Sequence, residues 1–531
     1  MTPPLDMALP YPSRRSPVLA SNMVAASQPL AAQAGLAMLA RGGNAVDAAI
    51  AAAMALTVVE PTGCGLGSDA FAILWDGAAL HGLNASGRSP AGWTPERFRG
   101  RVAMPELGWD SVTVPGAVSA WVELSRRFGR LPLPVLAEPA IRYARHGFLV
   151  SPRIAGLWHL APERYGAQPG FAAAFLPDGR APVAGERFRN EAQAESLELI
   201  AATAGEAFYR GVLAERLAAH AGAHGGALSE DDLATHRAEW VAPLAVPFAG
   251  TVVHELPPSG QGIAALMALG MLAELARDRP VDDPATLHLA IEATKLALAD
   301  LLEHVADPEH MLHPPTALLD PAYLARRAAL IDRHRALDPA HGAPRPGGTV
   351  YLATADADGM MVSFIQSNYM GFGSGVVVPG TGIALQNRGA GFVLRPGHAN
   401  RVGPRKRPFH TIIPGFATAP AGEPLMAFGV MGGMMQAQGH VQLGLRILAH
   451  GQNPQAAIDA PRWCVGAGRR VAVEPALPAA TRTALAALGH EITVEDHPAF
   501  SIFGGAQAIL RVPGGYVAGS DPRKDGQAVG F

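Results

Sequence analysis

The junction Gly347–Gly348–Thr349 constrains this chain more than any other feature, because there a loose stretch, HRALDPAHGAPRPGG (334–348), gives way to a strand-like run, TVYLAT (349–354). In an intact chain such a threonine is a β-branched residue opening a strand after a Gly/Pro loop. A cut between Gly348 and Thr349 would change its chemistry. A threonine hydroxyl is a poor nucleophile until a base takes its proton, and an N-terminal α-amine is a recognised activator. With an unperturbed pKa of roughly 7.7–8.0, that amine is substantially neutral near physiological pH and can accept the proton. Gly347 and Gly348 suit a self-inflicted cut, since glycine reaches backbone conformations that bring the following hydroxyl to its upstream carbonyl.

Composition is that of a large folded chain. Over 531 residues, 49% hydrophobic and 16% charged side chains exclude disorder and leave room for a core in several layers. A net charge of −3 supplies no field for nucleic acid or an anionic membrane. Cys64 and Cys464 are too few for a disulfide framework and lack metal-ligand spacing. No cofactor or metal is expected. The opening MTPPLDMALPYPSRRSPVLA (1–20) places its arginines after a mildly apolar stretch broken by prolines, which does not read as a signal peptide and points to the cytoplasm.

The longest apolar stretch, AVDAAIAAAMALTVV (45–59), is shorter than the roughly 20 residues a membrane span needs and contains Asp47. It reads as a buried helix capped by Asn44, forming an αα-hairpin with PLAAQAGLAMLA (29–40). FAILWDGAALHGL (71–83) reads as a hairpin turning at Asp76–Gly77. Residues 115–335 read as largely helical, with SEDDLATH (229–236) and TLHLAIEATKLALADLLEHV (286–305) as the clearest segments. After Thr349, hairpin turns dominate at ADADGM (355–360), VPGTG (378–382) and VPGGY (512–516), with helices over 436–450 and 478–488. Three lookalikes are set aside: Ser374 in GFGSG lacks nucleophile-elbow spacing, GCGLG (63–67) is no dinucleotide fingerprint, and His304, His310 and His313 do not form a zinc motif.

The run GGTVYLATADADGMMVSFIQSNYMGFGSGVVVPGTGIALQNRGAGF (347–392) resembles the catalytic subunit of the γ-glutamyltranspeptidase family of N-terminal nucleophile hydrolases. The resemblance extends through GGNAVDAAIAAAMALTVVEPTGCGLGSDAF (42–71), SVTVPGAVSAW (111–121), GEAFYRGVLAERL (205–217), GPRKRPFHTIIP (403–414), GVMGGMMQ (429–436), APRW (460–463) and GSDPRKDGQAVG (519–530), in family order. It implies an α+β fold, the four-layer αββα sandwich. It also implies a large subunit, 1–348, ending in the junction loop 334–348, and a small catalytic subunit, 349–531, that begins at the nucleophile Thr349 and stays with the large one.

Carried over residue by residue, the resemblance makes Gly432 and Gly433 the backbone oxyanion donors and Asn368 a substrate contact. Gln366 or Ser367 stands where the family has a threonine that supports the nucleophile, and the sequence leaves both open. Typical members grip an α-carboxylate with an Arg and a Ser-Ser pair; the matching residues here are Arg88, two positions late, and His410–Thr411. Where the family places the acid that binds the substrate amine, this chain has Gly391, with Arg388 nearby. Such a site keeps attraction for carboxylates and loses it for an ammonium. The segment VLRPGHANRVG (393–403) is shorter than its counterpart in lidded members, favouring water over an amine as acceptor.

The expected activity is autoprocessed hydrolysis or transfer of γ-glutamyl amides through a threonyl ester, with small-molecule γ-glutamyl or acidic acyl amides as substrates. One alternative is an acylase for glutaryl or other dicarboxylic-acyl amides. The other is an unprocessed, non-catalytic binding protein on the same scaffold, which retention of Thr349 and Gly432–Gly433 opposes. Association of the processed heterodimer into a homo-oligomer is left open.

Overall fold

Strand parity organises the molecule. In β8 (Gly348–Ala355), Val350 and Leu352 point into one apolar layer while Tyr351, Ala353 and Ala355 point into another, so the strand is covered on both faces. The computed structural model describes residues 14–273, 275, 279–339, 348–496 and 502–531. Gly347, most of the junction loop and most of the proline-broken N-terminal stretch lie outside the described residues.

Two seven-stranded antiparallel sheets stack face to face. Numbered in chain order within them, the remaining strands are β1 (Val18–Ala20), β2 (Met23–Ala26), β3 (Asp69–Trp75), β4 (Leu80–Asn84), β5 (Glu239–Val241), β6 (Leu244–Phe248), β7 (Thr251–Glu255), β9 (Met361–Tyr369), β10 (Gly415–Thr418), β11 (Pro424–Met431), β12 (Gly505–Val512), β13 (Gly515–Ser520) and β14 (Gln527–Gly530). The first sheet runs β14-β2-β8-β9-β3-β4-β5 and the second β1-β13-β12-β11-β10-β7-β6. Both mix strands from before and after Thr349.

Helices cover the outer faces. Against the first sheet lie α1 (Pro29–Ala40) and α2 (Ala45–Val59); against the second, α3 (Gly262–Leu272) and α5 (Met435–Leu443), with α4 (Pro284–His304) packed on both of these helices. Three apolar layers result: helix against first sheet, sheet against sheet through Phe71, Tyr351, Ile365 and Phe416, and second sheet against helix. This is the four-layer αββα sandwich. Every residue of α2 is buried, as expected for a helix apolar all round. Asn44 and Asp47 form its capping box, and Asp47 also accepts the amides of Arg130 and Leu131, which satisfies an acid in an otherwise apolar segment.

One departure from the sequence reading concerns residues 239–255, which form β5–β7 inside the stretch read as helical. Those strands are short, and Pro247 obscures β6. Because β6 is a sheet edge, the missing amide costs no interior ladder bond.

Candidate active site

Thr349 sits at the start of β8 on the face between the sheets, almost fully buried at 1% exposure. Its hydroxyl donates to the carbonyl of Gly348 at 2.8 Å and lies 3.1 Å from Ser367 Oγ, which itself donates to the Gly348 carbonyl at 2.7 Å. Gln436 Nε2, in the first turn of α5, approaches Thr349 Oγ1 at 3.4 Å while its Oε1 accepts the Ile413 amide. The peptide bond preceding Thr349 is therefore met by two hydroxyls, with the Thr349 hydroxyl touching its own upstream carbonyl.

Gly348 is glycine for want of room. A Cβ there would meet Gly371 N at 2.7 Å and Thr62 O at 2.9 Å, and its φ lies outside the left-handed region. Close approach, more than unusual backbone freedom, selects it. Gly347 is outside the described residues.

Of the two candidates for supporting Thr349, Ser367 is the one in contact. Gln366 points to the opposite face of β9, where its amide donates to Ala53 O and its oxygen accepts from Trp121 Nε1. The pairing of β8 with β9 shifts register between Gly348 and Val350, so Gly348 pairs with Tyr369 and Val350 with Gln366. That bulge brings residue 367 to Thr349.

After β11 the chain turns through Gly432 (φ 129°) and Gly433 (φ 64°) into α5. Their amides donate to no other group among the described residues. Gly432 and Thr349 both line a cavity of about 330 Å³, and a Cβ on Gly432 would lie 2.9 Å from Gly504 Cα. Gly433 faces the other flank, where Gln261 Nε2 donates to both the Gly433 and Thr411 carbonyls.

Beyond Gln261 lies a buried polar cluster. Arg388 Nη1 donates to Thr411 Oγ1 at 2.7 Å, its guanidinium carbon lies 4.6 Å from the Tyr369 ring centre, and its Nε and Nη2 have no hydrogen-bond partner. His410 Nδ1 accepts the Ile412 amide, which leaves the ring proton on Nε2, donated to Asp69 Oδ2 at 3.1 Å. Burial, reinforced by Arg388 and Arg407, holds the His410 pKa well below its ordinary value, so the ring is neutral. Burial pushes the Asp69 carboxyl up to about 7, opposed by Arg388 and by the amides of Gly87 and Gly116. Burial lowers Arg388 to about 10, so it remains a cation at neutral pH.

The structure thus brings Thr349, Ser367, Gly432 and Gly433 together, and groups Arg388, His410 and Thr411 beside them. Asn368 is adjacent but engaged with Ser68 Oγ at 2.8 Å, its Nδ2 buried without a partner. Arg88 requires a correction. It lies away from this cluster, 3.3 Å from Asp307 and within 4 Å of Glu239 and Glu309, and does not line the cavity. The segment 393–403 folds back on itself through Val393 and Asn400 and lines no part of the cavity. Sequence reasoning missed Asp69, Gln261 and Gln436. Gln436 alone carried a local signal, as the first-turn residue after the glycine pair.

One group of metal-ligating side chains is found among the described residues: His288, Glu292 and His490, all buried and apart from Thr349. Lys295 Nζ, 2.9 Å from Glu292 Oε1 and bonded to the Leu337 carbonyl, already supplies a cation there. No described helix is long and apolar enough to cross a membrane.

Residues 31–531 match the model of the gamma-glutamyltranspeptidase family. A glutathione hydrolase-like proenzyme of Bacillus subtilis is 38% identical over 97% of this chain and 100% of its own length. An oxamate amidohydrolase proenzyme of Klebsiella pneumoniae is also 38% identical, over 97% of this chain and 99% of its own. Among solved structures, a cephalosporin acylase from Bacillus halodurans superimposes with a TM-score of 0.95 at 48% identity, covering 100% of this chain and 99% of that one. Fold, motif order and matched length agree: the chain belongs to the gamma-glutamyltranspeptidase family.

Proposed function

We propose that the chain is a self-cleaving amide hydrolase that uses Thr349 to take acyl groups ending in a carboxylate, glutaryl or shorter dicarboxylic acyl groups being preferred to γ-glutamyl. The observation that carries the reading is Arg388, a buried cation with two unused guanidinium positions, linked through Thr411 and Gln261 to Gly433. Asp69 is committed to His410 and two backbone amides, and Gly391 has the Phe409 carbonyl 2.5 Å from where a Cβ would stand. Relatives named an oxamate amidohydrolase and a cephalosporin acylase support a non-amino-acid acyl group.

The first step is the cut at Gly348–Thr349. The Thr349 hydroxyl adds to the Gly348 carbonyl, the C–N bond breaks to leave an ester and a free amine, and water hydrolyses the ester. Gly348 is the ladder partner of Tyr369, which covers Arg388, so the cut releases one restraint on that cover. In turnover, the α-amine takes the Thr349 hydroxyl proton as oxygen attacks the substrate amide. Gly432 and Gly433 donate to the oxyanion. The C–N bond breaks as the amine half leaves with that proton, and water or an amine resolves the acyl-threonine.

The test compares kcat/KM for glutaryl and γ-glutamyl 4-nitroanilides on the processed enzyme. Equal or better turnover of the glutaryl compound supports the reading. A preference for γ-glutamyl by several orders of magnitude would return the chain to the second reading, a glutathione-type hydrolase or transferase, which the B. subtilis relative favours.

A further inference from the structure

Gln261 joins two parts of the site. Its side chain is fully buried, and Nε2 donates both to the Gly433 carbonyl, at 2.8 Å, and to the Thr411 carbonyl. Thr411 in turn accepts Arg388 Nη1 on its hydroxyl at 2.7 Å. A line of three hydrogen bonds therefore runs from the glycine turn after β11 to the buried cation.

The line is stiff for a chemical reason. An amide NH2 has two hydrogens, and both are committed here. Gln261 Oε1 is buried without a partner, and turning the amide over would set that oxygen against two carbonyl oxygens and leave both without this donor. The base of the side chain is fixed as well. The Gln261 amide donates to the His410 carbonyl at 3.0 Å, the His410 amide donates to the Ser259 carbonyl at 3.0 Å, and Gln261 leads directly into α3. Gly433, with φ 64° and no side chain to wedge it, has little stiffness of its own.

A fixed separation bears on the substrate. An acyl chain with its amide oxygen on Gly432 and Gly433 and its far carboxylate on Arg388 must span the gap between them. Each added methylene moves the carboxylate by about one carbon–carbon bond, roughly 1.5 Å. Hydrogen bonds weaken steeply over such a change, and a misplacement of about 1 Å can cost on the order of 10²-fold in rate.

We propose that Gln261 is a positioning residue that sets the separation between the Gly433 amide and Arg388, and thereby selects one length of dicarboxylic acyl chain. The inference rests on the proposed function, in which Arg388 receives the acyl carboxylate.

The experiment varies only the acyl group. The mono-4-nitroanilides of succinic, glutaric and adipic acids, with butyryl 4-nitroanilide as the uncharged control, are compared on wild type, Arg388→Gln, Gln261→Met and Thr411→Val, each verified as cut into two fragments. Wild type is expected to favour one length over its neighbours by on the order of tenfold, chiefly in kcat. Gln261→Met, of similar length but without donors, should bring the three lengths within about threefold. Thr411→Val cuts the line at its Arg388 end with the Gln261 contacts intact and should do the same. If Gln261→Met does not mature, the ranking in Thr411→Val decides. Wild type indifferent to length overturns the proposal, and so does a wild-type ranking kept in these two variants, even with every rate lowered, since uniform loss marks a merely structural part. Failure of the acyl-side reading looks different: wild type would hydrolyse the butyryl anilide as well as the glutaryl one, and Arg388→Gln would be no worse on either.

Discussion

Ser367 Oγ stands 3.1 Å from Thr349 Oγ1, and both hydroxyls converge on the carbonyl of the peptide bond that joins Gly348 to Thr349. If Thr349 attacks that bond as proposed, its neighbour is also a donor to the oxygen that becomes anionic.

Thr349→Ala should remain a single chain, whereas wild type should yield a smaller fragment beginning Thr-Val-Tyr. Ser367→Ala should still cut, about tenfold more slowly, the scale of one hydrogen bond worth about 1.4 kcal/mol at the transition state. A time course on denaturing gels from freshly made protein reads both. Wild-type cutting speed in Ser367→Ala would remove that serine from the reaction.

Gly433 has φ 64°, a region a β-branched residue avoids. Gly433→Val should rotate or block the amide donor, lowering kcat of processed material by about 10²–10³ with little change in KM. An unchanged kcat would show that the oxyanion is held elsewhere.

Arg388→Gln should lower kcat/KM for glutaryl anilide by about 1–3 kcal/mol, the range for a hydrogen bond to a charged group. Arg88→Ala should leave it within about twofold, because that side chain is occupied in partly exposed ion pairs of small energetic value. The reverse ranking would restore Arg88 to the site. Gly391→Asp is expected to lower Tm and gain no γ-glutamyl preference, since the Phe409 carbonyl occupies the space for its Cβ.

Asp69 predicts a pH effect on stability. Its folded pKa is raised to about 7 from 3.8, mainly by burial, so the folded state holds this proton more tightly than the unfolded one. The resulting stabilisation is complete below about pH 4 and is lost as pH rises through 7. Asn at 69 cannot ionise, so the Tm difference between wild type and Asp69→Asn should move against wild type from pH 5 to pH 7.5. Glu60, with a pKa also near 7, stays in both proteins and cancels from the comparison. A difference independent of pH would mean that Asp69 does not titrate in this window.

Elements with local signals were legible in the sequence. The α1–α2 hairpin, its Asn44 cap, the Asp76–Gly77 turn and the strand at Thr349 follow from periodicity and turn chemistry alone. The choice of Ser367 over Gln366 was not, because it depends on a register shift between two strands that no window of one strand contains. The position of Arg88 was hidden because its acidic partners, Asp307 among them, lie more than 150 positions away in the chain. Asp69 and His410 are 341 positions apart and meet only when β3 is packed beneath the segment leading to β10. The middle of the chain misled because β5–β7 are three to five residues long, too short for alternation to outweigh the helical signals around them.

In the first sheet, β8 lies between β2 and β9, with β14 beyond β2, and in the second, β10 abuts β7 and β13 abuts β1. Each sheet is therefore sewn from both sides of residue 348. Cutting one peptide bond adds a chain end without loosening any of these seams, because separating the pieces would require breaking the ladders of both sheets at once. The processed protein should travel through a sizing column as one particle of unchanged radius and divide only in denaturant. Its two fragments, made apart, would each expose half-built sheets with unpaired edges, so covalent continuity should matter for assembly and be dispensable afterwards.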